Sequence, residues 1–577
     1  MGNTQKTSQI KGPFPSFDQS IDLNNPIKPN NKKLTEKMGS RMIMRRSITF
    51  TNNSKGEELK QVNLRRNLNN RFDYHCSQDS PIDDIKLIVS FLTKRRSKYL
   101  RSITISNFLT KGFKALYEHY SMLKSISTLK IICTSFSDIS ENDIKHLGLL
   151  LKRLPSLTNL YLEFPNFPIV SYEKQKFFNR IRFIENLSTL SLVFIDYENI
   201  QSVELENLFK SLRILNSFSN LSLILSCCDL TMDVINIISD GLKHLKILRG
   251  LGLEFQLSRV HCNGEIIKFM DSLGQLKDLS SLSLYLLDFQ GITKDLMEHF
   301  LFVIRTMSKL TSLKLVLPYG FASNLTLFEN FYSLKTLDLE FSISLSNKDL
   351  QRVSTYLAQL PLLKKLSLTF VQCEKINSQG IEAMCKEMQC ISLSSFSLIF
   401  VYCKFINSKT FEKLMNLIEN FKDLKSLYLL FTDHDICDKN MKKLASALKQ
   451  LAKLSNLALR FGSNNKITDE GVMNLYETLR GLSFLRSIEL DFCHCTQLSQ
   501  KSFLFLVEVL NQANYLNRAV LLFLDSSLKK AENIKIVKEE FFRTLKWKRI
   551  YFHFLFCEGT DYQVVRFNPG ILSEKLV

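Results

Sequence analysis

One apolar phrase recurs along most of this 577-residue chain. It reads leucine, two polar residues, leucine, any residue, leucine, any residue, phenylalanine, as in residues 157–164 and 454–461. Sixteen phrases start at Leu100, Ile126, Leu157, Leu187, Phe218, Leu248, Leu279, Leu310, Leu334, Leu363, Leu393, Leu424, Leu454, Leu485, Leu516 and Trp547. Their mean spacing is about 30 residues. A fixed period of this size is typical of solenoids, in which each unit buries its apolar face against its neighbours.

Two kinds of periodicity alternate within each unit. Inside the phrase, apolar residues at the third, fifth and seventh positions after the start alternate with mostly polar ones, which predicts a strand with one buried face. After the phrase, apolar residues such as Phe411, Leu414 and Leu417 follow helical spacing. Small polar residues such as Asn407 and Thr468 precede the helices, and we expect them to cap the helix starts.

Repetition of a strand and a helix in one direction predicts a curved structure. The strands form a parallel sheet in which neighbours lie about 4.8 Å apart. The helices on the other side need about 8–10 Å between their axes. Because the helical side takes more room, we expect an α/β solenoid, a horseshoe of about sixteen repeats with the sheet on its concave face.

Composition divides the chain into three parts. Residues 1–80 contain no phrase and are rich in Asn, Ser, Lys and Arg, so we expect a disordered basic arm. Residues 81–554 are expected to form the solenoid, with a cap helix at 81–99, and residues 555–577 a C-terminal cap or tail. The unit that starts at Leu310 has only 24 residues, too few for the usual helix, so we expect a loop or a single turn there.

The formal net charge of +20 raises the question of a nucleic-acid partner. Residues 1–72 hold 14 Lys and Arg against 5 Asp and Glu. The strand positions expected on the concave face hold equal numbers, with Lys130, Lys314, Lys365, Arg460, Arg518 and Arg549 against Glu163, Glu254, Asp338, Glu340, Glu489 and Asp491. A nucleic-acid groove concentrates basic residues along the phosphates. We therefore expect no nucleic acid on this face.

The cysteines indicate a compartment. There are 13, an odd number without regular disulfide spacing. Cys228, Cys373, Cys403 and Cys495 each stand ten residues after a phrase start, where we expect buried small hydrophobes. This usage is typical of a reducing compartment, and we expect a cytoplasmic protein. The sequence also contains no apolar run of 18 residues and no apolar N-terminal signal segment.

The phrases, as in residues 485–492, resemble leucine-rich repeats, and units near 30 residues are similar to the ribonuclease-inhibitor-like subclass. Residues 467–472, Ile-Thr-Asp-Glu-Gly-Val, are similar to the helix entry of that subclass. One departure concerns the ninth phrase position, where the family usually has Asn or Cys and this chain has residues such as Pro165 and Gly462. Phenylalanine is the rule at the eighth position. We expect a phenylalanine stack to fill this corner in place of a continuous asparagine ladder.

The resemblance implies recognition of a protein ligand on the concave face by a non-catalytic scaffold or adaptor, which we expect to be a monomer. Aromatic side chains anchor interfaces efficiently. The expected contacts are Tyr161, Tyr285, Tyr428 and Tyr551, with Glu163, Asp338, Glu340 and Arg460 providing selectivity. For each of them the alternative is an unused surface residue. A second class of function is regulation of an enzyme, as a nuclease inhibitor or a GTPase activator.

Two further resemblances concern the N-terminal region. Gly2 begins a sequence close to an N-myristoylation signal, although Lys6 stands where the pattern has Ser or Thr. One acyl chain binds membranes weakly, and the basic arm would supply the second attraction to a membrane surface; the alternative is an ordinary solvated tail. Residues 81–92 look like the opening helix of an F-box, which would indicate a ubiquitin-ligase substrate receptor. The strand at Leu100 leaves no room for further F-box helices, which favours a cap helix.

We expect no metal, cofactor or catalytic site. The run Cys493, His494 and Cys495 has no second Cys or His pair at zinc spacing, and neighbouring side chains on a strand point to opposite sides. The sequence has no glycine-rich phosphate loop, nucleophile elbow or kinase motif set.

Overall fold

A computed structural model of the chain describes residues that all lie within one compact unit, Thr49–Val577. The described residues are 71–75, 88, 100–108, 112–133, 139–165, 172–195, 202–226, 230–255, 260–261, 266–286, 289–290, 292–316, 331–342, 345–403, 406–513, 515–523, 551–558 and 561–567.

One sheet of 18 strands passes through the described part of the chain. Its strands, in spatial order, are β1 (Arg71–His75), β2 (Ser102–Phe108), β3 (Thr128–Cys133), β4 (Asn159–Pro165), β5 (Thr189–Ile195), β6 (Asn220–Ser226), β7 (Gly250–Glu254), β9 (Ser281–Tyr285), β11 (Ser312–Val316), β12 (Thr336–Ser342), β13 (Lys365–Val371), β14 (Ser395–Val401), β15 (Ser426–Phe431), β16 (Asn456–Arg460), β17 (Ser487–Asp491), β18 (Arg518–Leu522), β19 (Tyr551–Glu558) and β20 (Asp561–Phe567). Neighbours are parallel except β19 and β20, which are antiparallel. Two short strands, β8 (Val260–His261) and β10 (Phe289–Gln290), form a separate parallel pair.

Thirteen α-helices of the described residues alternate with these strands. They are α1 (Gly112–Glu118), α2 (Glu141–Lys152), α3 (Tyr172–Arg180), α4 (Ser202–Leu212), α5 (Met232–Leu242), α6 (Ile266–Gly274), α7 (Lys294–Arg305), α8 (Asn347–Ala358), α9 (Ser378–Glu387), α10 (Ser408–Ile418), α11 (Asp438–Lys449), α12 (Asp469–Arg480) and α13 (Gln500–Gln512). The chain is therefore an open α/β solenoid, a horseshoe with the leucine-rich-repeat architecture.

The apolar phrase produces both the strand and the core. Each phrase from Leu100 to Leu516 gives a strand that begins two residues after the phrase start. On β15, Leu427 and Leu429 are buried, and α10 packs its buried residues Phe411 and Leu414 on the other side of the same core. Because the fully described units repeat this arrangement, their buried side chains form one continuous apolar core between the sheet and the helices.

The expected helix caps are present, and some of them link one repeat to the next. The Asn407 side chain accepts a hydrogen bond from the Thr410 amide at 3.0 Å, at the start of α10. Thr468 caps α12, and its own amide donates to Asp438 Oδ1 at 2.8 Å in the preceding repeat. The first residue of one helix therefore positions the start of the next helix, and this fixes the stacking of the repeats.

The predicted phenylalanine stack is present. Rings at the eighth phrase position are buried and lie one above another, with centroids 5.0–6.0 Å apart in the longest column. This column contains Phe341, Phe370, Phe400, Phe431, Phe461, Phe492 and Phe523. Offset aromatic pairs stabilise a core by about 0.5–1.5 kcal/mol beyond their buried area. The stack thus ties neighbouring repeats together along the turn that follows the strands.

A hydrogen-bonded ladder accompanies the stack, contrary to the expectation that phenylalanine replaces it. It lies ten residues after the phrase start, two residues later than the position the family resemblance indicated. In several repeats this side chain donates to the backbone carbonyl of the preceding repeat's phenylalanine: Cys373 to Phe341, Cys403 to Phe370, Asn464 to Phe431, and Cys495 to Phe461. The described cysteines of this column are buried, as predicted; Cys228 lies outside the described residues.

The turn that creates the ladder has a left-handed residue. The residue just before each of these four ladder residues, and Asp433 before His434 at the same place in its repeat, has a φ between 50° and 62°. These residues are Gln372, Tyr402, Asp433, Ser463 and His494. A positive φ reverses the chain tightly and turns the next side chain inward, where it meets the preceding repeat. This conformation is less stable for a non-glycine residue by about 1–2 kcal/mol, and the ladder hydrogen bonds offset that cost.

Two boundaries differ from the predictions. Strand β1 lies inside the segment 1–80 predicted as a disordered arm, and it pairs in parallel with β2, so the sheet begins before the predicted solenoid. The last phrase is displaced by two residues, because Arg518 pairs with Tyr551 and not with Arg549. An even displacement leaves the alternation of the strand unchanged. Of the predicted cap helix 81–99, only Ile88 is described, and it is helical and buried.

The other N-terminal predictions, including Gly2 and the arm before Arg71, lie outside the described residues. The same holds for the residues 317–330 that follow the phrase at Leu310. At the opposite end, β20 lies within the segment predicted as a C-terminal cap or tail and is the last strand of the sheet.

Candidate binding surface on the concave face

Strand alternation places every second residue on the concave face. The third, fifth and seventh positions after the phrase start are buried, and the second, fourth and sixth face the inside of the horseshoe. Because neighbouring strands pair in one register, equivalent positions form three rows across the sheet, which we name the +2, +4 and +6 rows. These rows form the candidate binding surface.

Some side chains of the +2 row bond to each other across neighbouring strands. The row consists largely of Ser, Thr and Asn. Asn159 Nδ2 donates to Thr128 Oγ1 at 3.3 Å, and Asn220 Nδ2 donates to Thr189 Oγ1 at 3.4 Å. Charged and aromatic residues are concentrated in the +4 and +6 rows, where they form three separate groups.

The N-terminal group contains Lys130, Tyr161 and Glu163. Glu163 is half-buried between Ile132 and Val193, its neighbours in the +6 row. Burial raises the pKa of Glu163 from 4.5 to about 7, and the positive charge of Lys130 opposes the shift only in part. The Glu163 carboxylate is therefore partly removed from water, and the charge of Lys130 compensates for this only in part.

The central group contains Glu254, Tyr285, Lys314, Asp338 and Glu340. Lys314 Nζ lies 3.6 Å from Glu254 Oε1, reaching across the intervening strand β9. Burial raises the pKa of Glu340; Lys314 lowers it, whereas the negative charges of Asp338 and Glu254 raise it further. Three carboxylates around one ammonium leave this group with an excess of negative charge.

The C-terminal group is balanced. Arg460 lies over the ring of Tyr428, 5.7 Å from the centroid, and its Nε donates to Glu489 Oε1 at 2.9 Å. Arg518 Nη1 lies 3.9 Å from Glu489 Oε2. With Asp491, the group has two arginines and two acids. Arg460 is therefore already paired, so any contact it makes with a ligand competes with Glu489.

The structure distributes the predicted contact residues among all three groups. Tyr161 and Glu163 share β4, and Asp338 and Glu340 share β12. Strand β11 separates β12 from β9, which carries Tyr285, and Arg460 lies over the ring of Tyr428. For Tyr551 the structure gives the strand position alone, at the start of β19. The sequence analysis counted Glu254, Lys314 and Glu489 among the concave charges but not among the contact residues. Each of these three residues stands in the +4 or +6 row, one or two strands from an opposite charge. This placement could have identified them from the sequence.

Two features are absent from the described residues, a metal-binding cluster and a membrane-spanning helix. Among them, no group of three or more His, Cys, Asp or Glu side chains is arranged to hold a metal ion. In the run considered for a metal site, Cys495 is buried and its Sγ donates to the carbonyl of Phe461 at 3.2 Å. No helix in the described part of the chain combines the length and the apolar character needed to cross a bilayer.

Neither a protein-family model nor a curated protein matches this chain. Among solved structures, it is similar to the crystal structure of a TLR13–ssRNA13 complex, with 17% sequence identity and a TM-score of 0.36. The likeness covers 74% of this chain and 56% of that one, so this chain spans just over half of its neighbour's length.

Proposed function

We propose that the chain is a non-catalytic scaffold or adaptor that binds a protein ligand on its concave face. The observation that carries this proposal is the arrangement of tyrosines and half-buried charges in the +4 and +6 rows, supported by a rigid sheet. Aromatic and charged side chains of this kind provide anchors and selectivity in protein interfaces. We further propose that the repeats belong to the ribonuclease-inhibitor-like subclass and that the protein acts as a cytoplasmic monomer.

Regulation of an enzyme is the second candidate function. The excess of negative charge in the central group favours it, because such a surface complements a basic enzyme surface. A purified enzyme whose rate changes on addition of the chain would support regulation, whereas a passive scaffold leaves the rate unchanged. Contact of the basic arm with a membrane through acylated Gly2 is a separate proposal, and the intact mass of the native protein tests it: an unmodified terminus would contradict it.

Affinity purification with mass spectrometry tests the main proposal. Full-length protein and a variant with alanine in place of Tyr161, Tyr285, Tyr428 and Tyr551 serve as baits. We expect the wild-type bait to recover a partner that the variant loses, while circular dichroism shows both to be folded. Equal recovery by the two baits would argue against the concave face as the binding surface.

A further inference from the structure

The +6 row has a regular composition across the first half of the sheet. Paired residues along the row, from β4 to β12, are Glu163, Val193, Ile224, Glu254, Tyr285, Val316 and Glu340. An acid thus occurs on every third strand, with two apolar or aromatic residues between successive acids. Because strands lie about 4.8 Å apart, successive acids are about 14 Å apart along the row.

The two outer acids of this row, Glu163 and Glu340, are half-buried. No Lys or Arg of the described residues forms an ion pair with Glu163 or Glu340, and burial raises the pKa of both. Glu254 pairs with Lys314 at 3.6 Å, and the negative charges of Glu254 and Asp338 both act on Glu340. The row therefore presents partly desolvated negative charge at regular intervals, with the half-buried Val193 and Ile224 between Glu163 and Glu254, whereas Val316 is fully buried. A ligand with matching cations would neutralise this charge.

We propose that this row binds an extended, basic polypeptide segment with a lysine or arginine at every fourth residue and an apolar residue midway between them. The inference rests on the proposed function and specifies the chemistry of its ligand. In an extended chain, residues four apart lie on the same face and about 13 Å apart, close to the spacing of the acids. The intervening apolar residue then lies over a pair such as Val193 and Ile224.

A helical ligand fits the row less well. Residues four apart on a helix are about 6 Å apart along its axis, less than half of the gap between Glu163 and Glu254. A helix would need about ten residues to reach from one acid to the next, and residues ten apart are displaced around the helix rather than aligned on one face. The spacing of the acids therefore favours an extended ligand.

Fluorescence anisotropy with two labelled nine-residue peptides tests the inference on the full-length protein. The matched peptide has lysines at its first, fifth and ninth positions, valines at its third and seventh, and threonines elsewhere. The control peptide has the same composition with its three lysines adjacent. We expect the matched peptide to bind about tenfold more tightly than the control, and both to weaken as salt is raised.

Variants of the protein then locate the site. Glu163→Gln and Glu340→Gln should each weaken the matched peptide about fivefold, because each removes one of the terminal charges. Glu477→Gln is the matched control, since Glu477 is exposed on α12 and lies outside the sheet. It should leave affinity unchanged.

Three results would overturn the inference: equal affinity for the two peptides, affinity unaffected by both row substitutions, or no binding of either peptide. None of these results bears on the broader proposal that the concave face binds a protein ligand. If the peptides fail while the four-tyrosine substitution still abolishes capture of the partner, the concave face binds a protein of different chemistry. If capture survives that substitution, the proposed function itself is wrong.

Discussion

Replacement of Asn464 by alanine is the strongest test of how the repeats are joined. The Asn464 side chain is fully buried in the turn after β16. Its Nδ2 donates to the carbonyls of Phe431 and Phe461 at 2.7 and 2.8 Å. Its Oδ1 accepts from the amides of His434 and Ile436 at 3.2 and 3.3 Å. Its Nδ2 also lies 3.3 Å from the carbonyl of Gly462, so one side chain bonds to five backbone groups, three of them in the preceding repeat.

The expected loss of stability follows from these contacts. A buried backbone group that loses its hydrogen-bond partner costs about 1–3 kcal/mol. These costs do not add fully, because water enters the space left by the amide and the turn relaxes. We expect Asn464→Ala to lower the free energy of unfolding by about 3–5 kcal/mol. Asn464→Cys should lose about half as much, because Cys495 shows that a thiol at this ladder position donates to the same kind of carbonyl.

Urea unfolding followed by circular dichroism measures the global effect. Because long repeat arrays can unfold in parts, hydrogen exchange of residues 424–467 measures the local effect beside it. Asn465→Ala is the control, since Asn465 is exposed and its Oδ1 accepts from Thr496, from the amide at 3.5 Å and from Oγ1 at 3.2 Å; it should cost less than about 0.5 kcal/mol. If Asn464→Ala costs no more than this control, the ladder does not hold the repeats together.

Two other changes test the core and the concave face. Phe431→Leu should lower stability by about 1–3 kcal/mol in urea unfolding, because Phe431 stacks against rings on both sides at 5.4 and 5.9 Å; exposed Phe484→Leu is the control, and equal effects would contradict a stabilising stack. Glu163→Gln should raise stability at pH 8 by up to about 3 kcal/mol and leave it unchanged at pH 4. Burial raises the pKa of Glu163 from 4.5 to about 7 in the folded protein, so the folded state holds this proton more tightly than the unfolded chain does. The stability that the protonated carboxyl contributes is therefore complete below pH 4.5 and is lost as the pH rises through 7. Absence of any gain at pH 8 would contradict the burial of this carboxylate.

The repeat spacing predicted the fold because both of its periods are local. Alternation at residues such as Leu427 and Leu429 predicts the strand, and the helical spacing of Phe411 and Leu414 predicts the helix. The register of the phrase at Trp547 was predicted wrongly by two residues. A displacement of two residues keeps the same side chains on the same face, so the hydrophobic pattern does not reveal it. Strand β1 was missed because it precedes the first phrase and is only five residues long.

The concave face was less predictable than the fold. Which residues face inward followed from alternation, but which of them meet depended on distances across strands. The pairing of Arg460 with Glu489 joins residues on neighbouring strands, and Lys314 reaches Glu254 past a whole strand. The ladder was not predicted for a similar reason, since the left-handed residue Ser463 that turns Asn464 inward has no signature in the residue types.

Binding of the captured partner to two sets of variants tests most directly whether the concave face is the binding surface. One set has alanine at Tyr161, Tyr285, Tyr428 and Tyr551. The matched set has alanine at four aromatics that are exposed away from that face: Phe302, Tyr332, Phe484 and Tyr515. In calorimetric titration with the purified partner, we expect the concave set to weaken binding at least 100-fold, since four anchors at about 1 kcal/mol each exceed that factor. The matched set should bind like the wild type; the reverse pattern would show that the partner binds elsewhere.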